Sequence, residues 1–362
     1  MMEDLKKEMT ERLMHLDILR VFAIYLVVFN HTGERGYMLF TGEMESFWYF
    51  PHMMFSVFCK VAVPIFFMIS GALLLPKHES LKQLLLKRVL RMITVLIFIS
   101  IPYYFWLHRV PGNGISAFFT FIYENNATSA LWYLYSYIGF LLILPFLRSL
   151  VKNIKQNDFV YLLVGHIVLV GLLPCCEYLL WEGGVTLNQS FSSVVFTTQN
   201  IFYALMGYYL ERVLDEKHYS AKNILISISA SLVSIIVTCL MTYYQATKIG
   251  LGEPVKQEAF FNSFICIPAI TVYFLVKILS SKNKNKALQK VMAIFGASVF
   301  GVYLIEKFGR ALTDPVYEFL SPLIGSFLAS LVWCLATCLL SFAIIIPLKQ
   351  IPIVKRFVNK FI

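Results

Sequence analysis

Apolar runs of membrane-spanning length recur along the whole chain of 362 residues, and they restrict the fold more than any other feature. About 20 apolar residues cross a bilayer as one helix, which satisfies its own backbone hydrogen bonds. The composition agrees, since 58% of the residues are hydrophobic and only 14% are charged. A soluble domain of this length would need a more polar exterior. The sequence therefore predicts an all-α, polytopic membrane protein.

We predict about ten transmembrane helices in one bundle. A cytoplasmic N-terminal segment at 1–14 precedes a transmembrane domain at 15–347, and a basic cytoplasmic tail follows at 348–362. The run at 115–123 is too short to cross and is predicted to be interfacial or re-entrant. The predicted spans are 15–31, 52–75, 92–109, 131–150, 159–181, 196–213, 224–244, 259–280, 291–310 and 321–347.

Lysines and arginines are distributed unequally between the two sides of these spans. With the N-terminus inside, 23 of the 31 basic residues lie on inner segments and 6 on outer segments. Positive charge accumulates on the cytoplasmic side of membrane proteins, so both termini are predicted to be cytoplasmic. Basic inner loops that face anionic lipid also explain the net charge of +10. Membrane lipids are therefore the expected partners of these charges, and nucleic acid is not.

The first span, Leu16 to His31, carries an arginine near one end and a histidine at the other. Arg20 and His31 are eleven positions apart, which is three helical turns plus about 20°, so both point to the same face. Their backbones are separated by a rise of about 16 Å. An arginine within a span costs roughly 2.5–3.5 kcal/mol on insertion scales, and such a cost favours a partner or a wet cavity. Asp17, one turn earlier, is the nearest candidate partner.

His31 is the candidate catalytic base. A histidine exchanges protons near neutral pH, and under the predicted orientation this one lies at the outer end of its span. The alternative is an interfacial histidine bonded to water or to lipid headgroups. The face that it shares with Arg20 favours a functional role, because paired polar groups inside a membrane usually mark a site. Asn30 and Glu34 are candidate orienting groups, Glu34 only if the helix continues past Gly33.

Two further ionisable groups lie in or near predicted spans. Lys60 is about a third of the way into the second span, where it either snorkels to the surface or pairs with an acid. Pro64 and the Ser70–Gly71 pair mark places where that helix kinks or packs closely. Glu306 is the acid nearest the outer end of the span at 291–310, and the adjacent Lys307 makes an interfacial position equally consistent.

Arg88 and Arg91 lie one turn apart where the chain enters the third span from the cytoplasmic side. Two guanidinium groups on one face suit bidentate binding of phosphate, although topology-setting charge also explains them. Trp132, Tyr133 and Tyr135 begin the fourth span at its outer end. An aromatic belt explains them, and a platform that stacks on a sugar is the alternative.

No metal site is predicted. The seven cysteines all lie in apolar segments, and none has the spacing of zinc ligands with histidines. Buried membrane thiols are the expected state of these side chains.

Several segments together resemble the acyltransferase-3 family of integral membrane acyltransferases. The resemblance is carried by Arg20 and His31 with ten residues between them, by the Arg88–Arg91 pair, and by the segments VAVPIFFMISGALLL, LWYLYSYIGFLLILP, FYALMGYYLE and GVYLIEKF. These segments follow the family's order over most of the chain. The family often has a histidine in the segment that resembles GVYLIEKF, where this chain has Glu306, so no family role is carried over to that position.

The resemblance implies an O-acyltransferase of the bacterial inner membrane with ten helices, which modifies a polysaccharide of the cell envelope. Such proteins typically move an acyl group, often acetyl from acetyl-CoA, from the cytoplasm to an extracytoplasmic glycan or a lipid-linked sugar. His31 and Arg20 match the family's catalytic histidine and arginine, and Arg88 and Arg91 match its basic pair. Acyl-CoA is then a co-substrate, and no metal is required.

The implied mechanism has His31 deprotonate the acceptor hydroxyl while Arg20 stabilises the negative charge that develops on the thioester. Direct transfer and a transient acyl-histidine are both consistent with the sequence. A different class of function also fits, since a polar path through ten helices would serve a transporter or flippase for a sugar or a polyprenyl-linked saccharide. A transporter needs neither a histidine base nor arginines for CoA.

Overall fold

The computed structural model describes residues 13–42, 45–107, 115–188, 190–191, 194–249, 258–281, 283 and 285–351. Every regular element in these ranges is helical, which confirms the all-α class. The main helices are α1 Met14–Asn30, α2 Tyr49–Cys59, α3 Ala62–Leu74, α4 Leu90–Leu107, α5 Ile115–Glu124, α6 Trp132–Val151, α7 Gln156–His166, α8 Leu173–Trp181, α9 Gln199–Tyr208, α10 Ala221–Ile249, α11 Cys266–Ser281, α12 Lys286–Ile324 and α13 Ser326–Leu348.

Six helical stretches within the described residues are long and apolar enough to cross a membrane. The predicted count of ten is therefore not confirmed. The other four predicted spans coincide with α1, α4, α9 and α11, which are not among these six stretches. The six stretches are Tyr49–Leu74, Ser129–Val151, Gln156–Trp181, Ala221–Lys248, Lys286–Ile324 and Ser326–Leu348.

The chain divides into two compact units, and the single bundle stays a prediction. The first unit comprises the residues up to Leu73 and Ile154–Ala343, and the second comprises Leu74–Asn153 and the residues from Ile344 onward. In the first unit α1 packs along α12, and α10 packs against α11 and α2. In the second unit α5, predicted as interfacial, packs with α4 through an apolar cluster of Tyr104, Phe118 and Ile122.

The second predicted span is broken into α2 and α3 at Lys60 and Val61. The break lies one turn before Pro64. Proline has no N–H to donate to the carbonyl four residues earlier, which is that of Lys60, and its ring crowds that carbonyl. Pro64 therefore explains why the helix is interrupted at this point rather than further along.

Gly71 lies at a close crossing of α3 with α9. A Cβ atom at Gly71 would overlap the backbone carbonyl of Ala204, and a Cβ at Gly207 would overlap that of Met68. Only glycine lets the two backbones approach so closely, as at other small-residue contacts between membrane helices. The predicted close packing at Gly71 is thus present.

Replacing Gly71 with valine is expected to lower the melting temperature of the detergent-solubilised protein by about 5 °C or more, because α3 and α9 must separate. Gly139→Val is the matched control, since nothing lies within 4 Å of a Cβ built on that helical glycine. Equal melting temperatures for the two variants would show that the close crossing contributes little stability.

Candidate active site

His31 immediately follows the last residue of α1 and faces α12. Its ring nitrogen Nδ1 lies 3.0 Å from Oε1 of Glu306, a residue 275 positions away in the chain. The Glu306 side chain is 1% exposed, whereas the His31 side chain is 21% exposed. The carboxylate is therefore buried behind the imidazole, and the imidazole keeps an accessible edge.

Arg310 lies one turn beyond Glu306 on α12 and connects the two partners. Its Nε donates to Glu306 Oε2 at 2.8 Å, and its Nη1 donates to the backbone carbonyl of His31 at 2.5 Å. Arg310 thus compensates the charge of the buried carboxylate and fixes the end of α1. Sequence reasoning did not single out Arg310, although its spacing of four from Glu306 is the spacing of ion pairs along a helix.

This arrangement is suited to general-base chemistry. An ionised Glu306 only accepts hydrogen bonds, so the proton of the neutral imidazole lies on Nδ1 and the lone pair on Nε2. A buried carboxylate that holds a histidine in this tautomer also stabilises the imidazolium that forms when Nε2 takes a proton. His31 and Glu306 therefore form a candidate base and its orienting group.

The expected pairing of Asp17 with Arg20 is present at the other end of α1. Arg20 Nη1 donates to Asp17 Oδ1 at 2.6 Å, and the Asp17 side chain is 1% exposed. Asp17 packs directly against Gly296 of α12, where a Cβ would overlap its carboxylate. The same two helices, α1 and α12, thus position both Arg20 and His31.

Arg20 is remote from the imidazole. Eleven residues of α1 separate it from His31, a rise of about 16 Å, which exceeds the reach of an arginine side chain. Arg310 is the guanidinium that the structure places at His31. The role of Arg20 in stabilising charge therefore stays a prediction, whereas Arg310 of α12 directly contacts the backbone carbonyl of His31.

The structure places Asn30 and Glu34 in other surroundings than the His31 ring, and a supporting role for either stays a prediction. The α-helix ends at Asn30, and Gly33 adopts a φ of +59°, so the chain turns away before Glu34. Glu34 is exposed in a short 3₁₀ turn, and the Asn30 side chain donates to the carbonyl of Cys59 at 3.0 Å. Glu306, which the sequence left between an interfacial and a functional reading, has the orienting position.

Lys60 pairs with an acid. Its Nζ lies 3.2 Å from Oε2 of Glu258 and 4.9 Å from the centre of the Tyr37 ring. The break between α2 and α3 places Lys60 at the junction of the two helices, where it is partly exposed.

Arg88 in the second unit is already engaged by a carboxylate. Its Nε donates to Glu79 Oε2 at 2.9 Å, its Nη2 contacts Oε1, and Arg148 Nη2 donates to Oε2 at 3.0 Å. The hydrogen bonds from Arg88 and then from Arg148 lower the pKa of Glu79 to about 2, against the opposing effect of burial. Arg88 lies in a π-helical turn at Leu85–Val89 and would have to exchange this carboxylate for a phosphate, so its role in phosphate binding stays a prediction.

The three aromatic residues at the start of α6 have different surroundings. Trp132 is 42% exposed, and Tyr133 stacks on Tyr137 with ring centres 5.9 Å apart. The Tyr135 hydroxyl donates to the carbonyl of Ile122 at 2.6 Å, and this hydrogen bond links α5 to α6. Tyr135 thus has a structural role, while Trp132 and Tyr133 retain surfaces that could stack on a ligand.

A second histidine–carboxylate pair lies at the start of α1, and sequence reasoning did not identify it. His15 Nε2 lies 3.0 Å from Oε2 of Glu211, which also accepts from the Tyr273 hydroxyl at 3.1 Å. Lys277 lies 3.7 Å from the same oxygen. Histidine–glutamate pairs thus lie at both ends of α1, His15 with Glu211 and His31 with Glu306.

All seven cysteines are free thiols, and six are buried as expected, whereas Cys176 on α8 is exposed. Over the described ranges, no three His, Cys, Asp or Glu side chains are grouped as metal ligands.

A family model described as an acyltransferase domain, that of the acyltransferase-3 family, matches residues 15–348. The match runs from α1 to the end of α13 and includes His31, Glu306 and Arg310. No curated protein and no solved structure matches the chain.

Proposed function

The chain belongs to the acyltransferase-3 family, and from this membership and the geometry at His31 we propose that it moves an acyl group from acyl-CoA to a hydroxyl of an extracytoplasmic or lipid-linked glycan. Membership in the family supports membrane acyltransferase activity. The acyl donor, the acceptor and the residues that carry out the reaction are proposed in addition. One observation carries it: the buried Glu306 holds Nδ1 of a partly exposed His31, which leaves Nε2 as a base.

The proposed reaction begins when Nε2 of His31 takes the proton of the acceptor hydroxyl. The acceptor oxygen attacks the thioester carbonyl carbon, and the negative charge that forms on the carbonyl oxygen is stabilised by nearby donors. The carbon–sulfur bond then breaks, and the CoA thiolate takes the proton from His31. In the covalent alternative, Nε2 attacks the thioester first and the acceptor then attacks the acyl-histidine.

On the donor side, we propose that Arg88 and Arg91 bind phosphate groups of acyl-CoA. Guanidinium groups bind phosphate in a bidentate manner, and Glu79 holds Arg88 in position until an anion competes for it. Arg20, held by Asp17, is proposed to contact the donor at the other end of α1 from His31. Trp132 and Tyr133 are proposed to contact the acceptor, and no metal is assigned a role.

For location, we propose the bacterial inner membrane with both termini cytoplasmic. The unequal distribution of lysine and arginine supports this orientation. Acetyl is the proposed acyl group because it is the group that the family most often transfers. The expected product is an O-acetylated polysaccharide of the cell envelope.

Sealed membrane vesicles given labelled acetyl-CoA test the donor, the activity and the sidedness together. Inside-out vesicles that contain the protein should incorporate label into glycan or glycolipid, and sealed right-side-out vesicles should not, because they exclude the donor. Movement of a labelled sugar across the membrane without any incorporation of acetyl label would contradict the proposal and favour the transporter.

The double substitution Arg88→Ala with Arg91→Ala is expected to raise KM for acetyl-CoA by about tenfold or more, since hydrogen bonds to charged groups contribute roughly 1.5–3 kcal/mol each. Lys82→Ala with Lys87→Ala is the matched control, because these exposed lysines belong to the same basic segment. If both double variants show the same KM as the wild type, the charges at 88 and 91 serve topology only.

A further inference from the structure

Three charged side chains beyond the candidate active site have no role in the proposed chemistry. Arg35 is four residues past His31, and it contacts Asp314 and Glu318 of α12, the latter through Nη2 and Oε1 at 2.8 Å. We refer to Arg35, Asp314 and Glu318 as the rim. Asp314 and Glu318 lie eight and twelve residues past Glu306, or about 12 and 18 Å of helix rise. The rim therefore lies beyond the His31–Glu306 pair along α12, at a separation that an acceptor of several sugar rings can span.

Two buried aromatic rings form the floor of the rim. The Arg35 guanidinium lies 5.0 Å from the centre of the Tyr317 ring and 5.7 Å from that of Trp333. Trp333 also donates from Nε1 to the carbonyl of Arg310 at 3.3 Å. The floor thus connects the rim directly to the residue that braces Glu306.

The turn after His31 holds Arg35 in one position. The Thr32 hydroxyl accepts from the backbone N–H of Tyr37 at 2.8 Å, and Gly33 adopts a φ of +59° that favours glycine. A Cβ atom at Gly36 would overlap the side chains of Thr32 and Ser330. A group fixed by its surroundings in this way loses little conformational freedom when a ligand binds.

The rim presents groups that suit sugar hydroxyls. Asp314 and Glu318 contact Arg35 through Oδ1 and Oε1, which leaves Oδ2 and Oε2 to accept hydrogen bonds. The two side chains are 40% and 58% exposed. Residues four apart on a helix have Cβ atoms about 6 Å apart, a spacing that suits hydroxyls on opposite sides of one ring. Two carboxylates and one guanidinium give a net negative charge, which disfavours an anionic ligand.

We propose that the rim binds a neutral sugar ring of the acceptor, through hydroxyl groups that donate to Asp314 and Glu318, and that it selects against acidic sugars. The inference rests on the proposed function and assigns the acceptor side of the same site. With one ring bound at the rim, a hydroxyl of another ring of the same acceptor would reach His31.

A pair of methyl glycosides tests the proposal by saturation-transfer NMR on the purified full-length protein, without acyl donor. Methyl glucoside and methyl glucuronide differ only at C6, which is a neutral alcohol in the first and a carboxylate in the second. The wild type should bind the glucoside in clear preference to the glucuronide. Asp314→Asn with Glu318→Gln should weaken glucoside binding by about tenfold or more and reduce the preference, because the charge at the rim changes sign.

The matched control is Glu182→Gln. Glu182 forms a similarly exposed ion pair with Lys248 at 3.0 Å, and Lys248 lies 5.7 Å from the centre of the Tyr244 ring. The control therefore disrupts an ion pair beside an aromatic ring, as at the rim, but in another part of the protein. It should leave both signals unchanged. Binding that is equal for the two sugars, absent for both, or unaffected by the rim substitutions would overturn the proposal. A lowered melting temperature with unchanged binding would show that the rim only braces the turn. Because no acyl donor is present, failure of the proposed function would leave this binding result intact.

Discussion

Replacing Glu306 with glutamine is expected to lower the rate constant of acyl transfer by roughly 10²–10⁴-fold, as for carboxylates that hold a catalytic histidine elsewhere. The glutamine amide can donate to Nδ1 of His31, which moves the imidazole proton to Nε2 and removes the lone pair that accepts the acceptor's proton. The amide is also neutral and cannot stabilise the imidazolium. Initial rates at saturating acetyl-CoA measure the effect, and KM for acetyl-CoA should stay unchanged.

Glu211→Gln is the matched control for this substitution. Among the described residues, Glu211 is a second largely buried glutamate that contacts a histidine, at 3.0 Å from His15 of α1. Its replacement removes the same charge from the same kind of pair without touching His31. Equal losses of rate in the two variants would show that Glu306 acts through general stability and not through the tautomer of His31.

Replacing Arg310 with leucine is expected to destabilise the protein by roughly 3–5 kcal/mol, the usual cost of leaving a buried charge without its partner. The Glu306 side chain is 1% exposed, and Arg310 provides its hydrogen bond at 2.8 Å. The end of α1 also loses its bond to the carbonyl of His31. Unfolding of the detergent-solubilised protein by increasing denaturant measures the change.

The double variant Glu306→Gln with Arg310→Leu separates charge burial from packing. Removing the carboxylate as well should restore much of the lost stability, while acyl transfer stays low because His31 has lost its orienting group. A double variant no more stable than Arg310→Leu alone would contradict the view that Arg310 compensates the buried charge of Glu306.

The sequence predicted the features that depend on local spacing. Arg20 and Asp17 are one turn apart on one helix, so their pairing follows from helical geometry and from the cost of an arginine in a span. The interruption near Pro64 and the close packing at Gly71 likewise follow from the covalent properties of those residues. In each case the residues that interact lie near each other in the chain, or a single residue type imposes the structure.

The contacts that the sequence missed join distant segments. Glu306 meets His31 across 275 residues, and only the packing of α1 along α12 brings them together. The span predicted at 291–310 is the middle of a helix that runs from Lys286 to Ile324. A hydropathy pattern detects apolar stretches long enough to cross a bilayer. It therefore does not detect the polar continuation of α12 that carries Asp314 and Glu318.

Glu79 illustrates a different limit of the sequence. It lies in a polar segment outside the predicted spans and has no spacing that links it to Arg148, 69 residues further along. The tertiary structure makes it a shared acceptor for Arg88 and Arg148, which decides whether Arg88 is available to phosphate. Such competition between partners depends on the folded arrangement and is not encoded in any short motif.

Chemical rescue of a His31→Gly variant would show whether His31 is the base of an acyl transfer. Initial rates of transfer from labelled acetyl-CoA would be measured for wild type and variant, each with and without added imidazole. We expect the variant to be slower by about 10²-fold or more and imidazole to restore part of the rate, because it supplies the missing base beside Glu306. A folded His31→Gly protein that transfers acetyl at the wild-type rate without imidazole would contradict the claim.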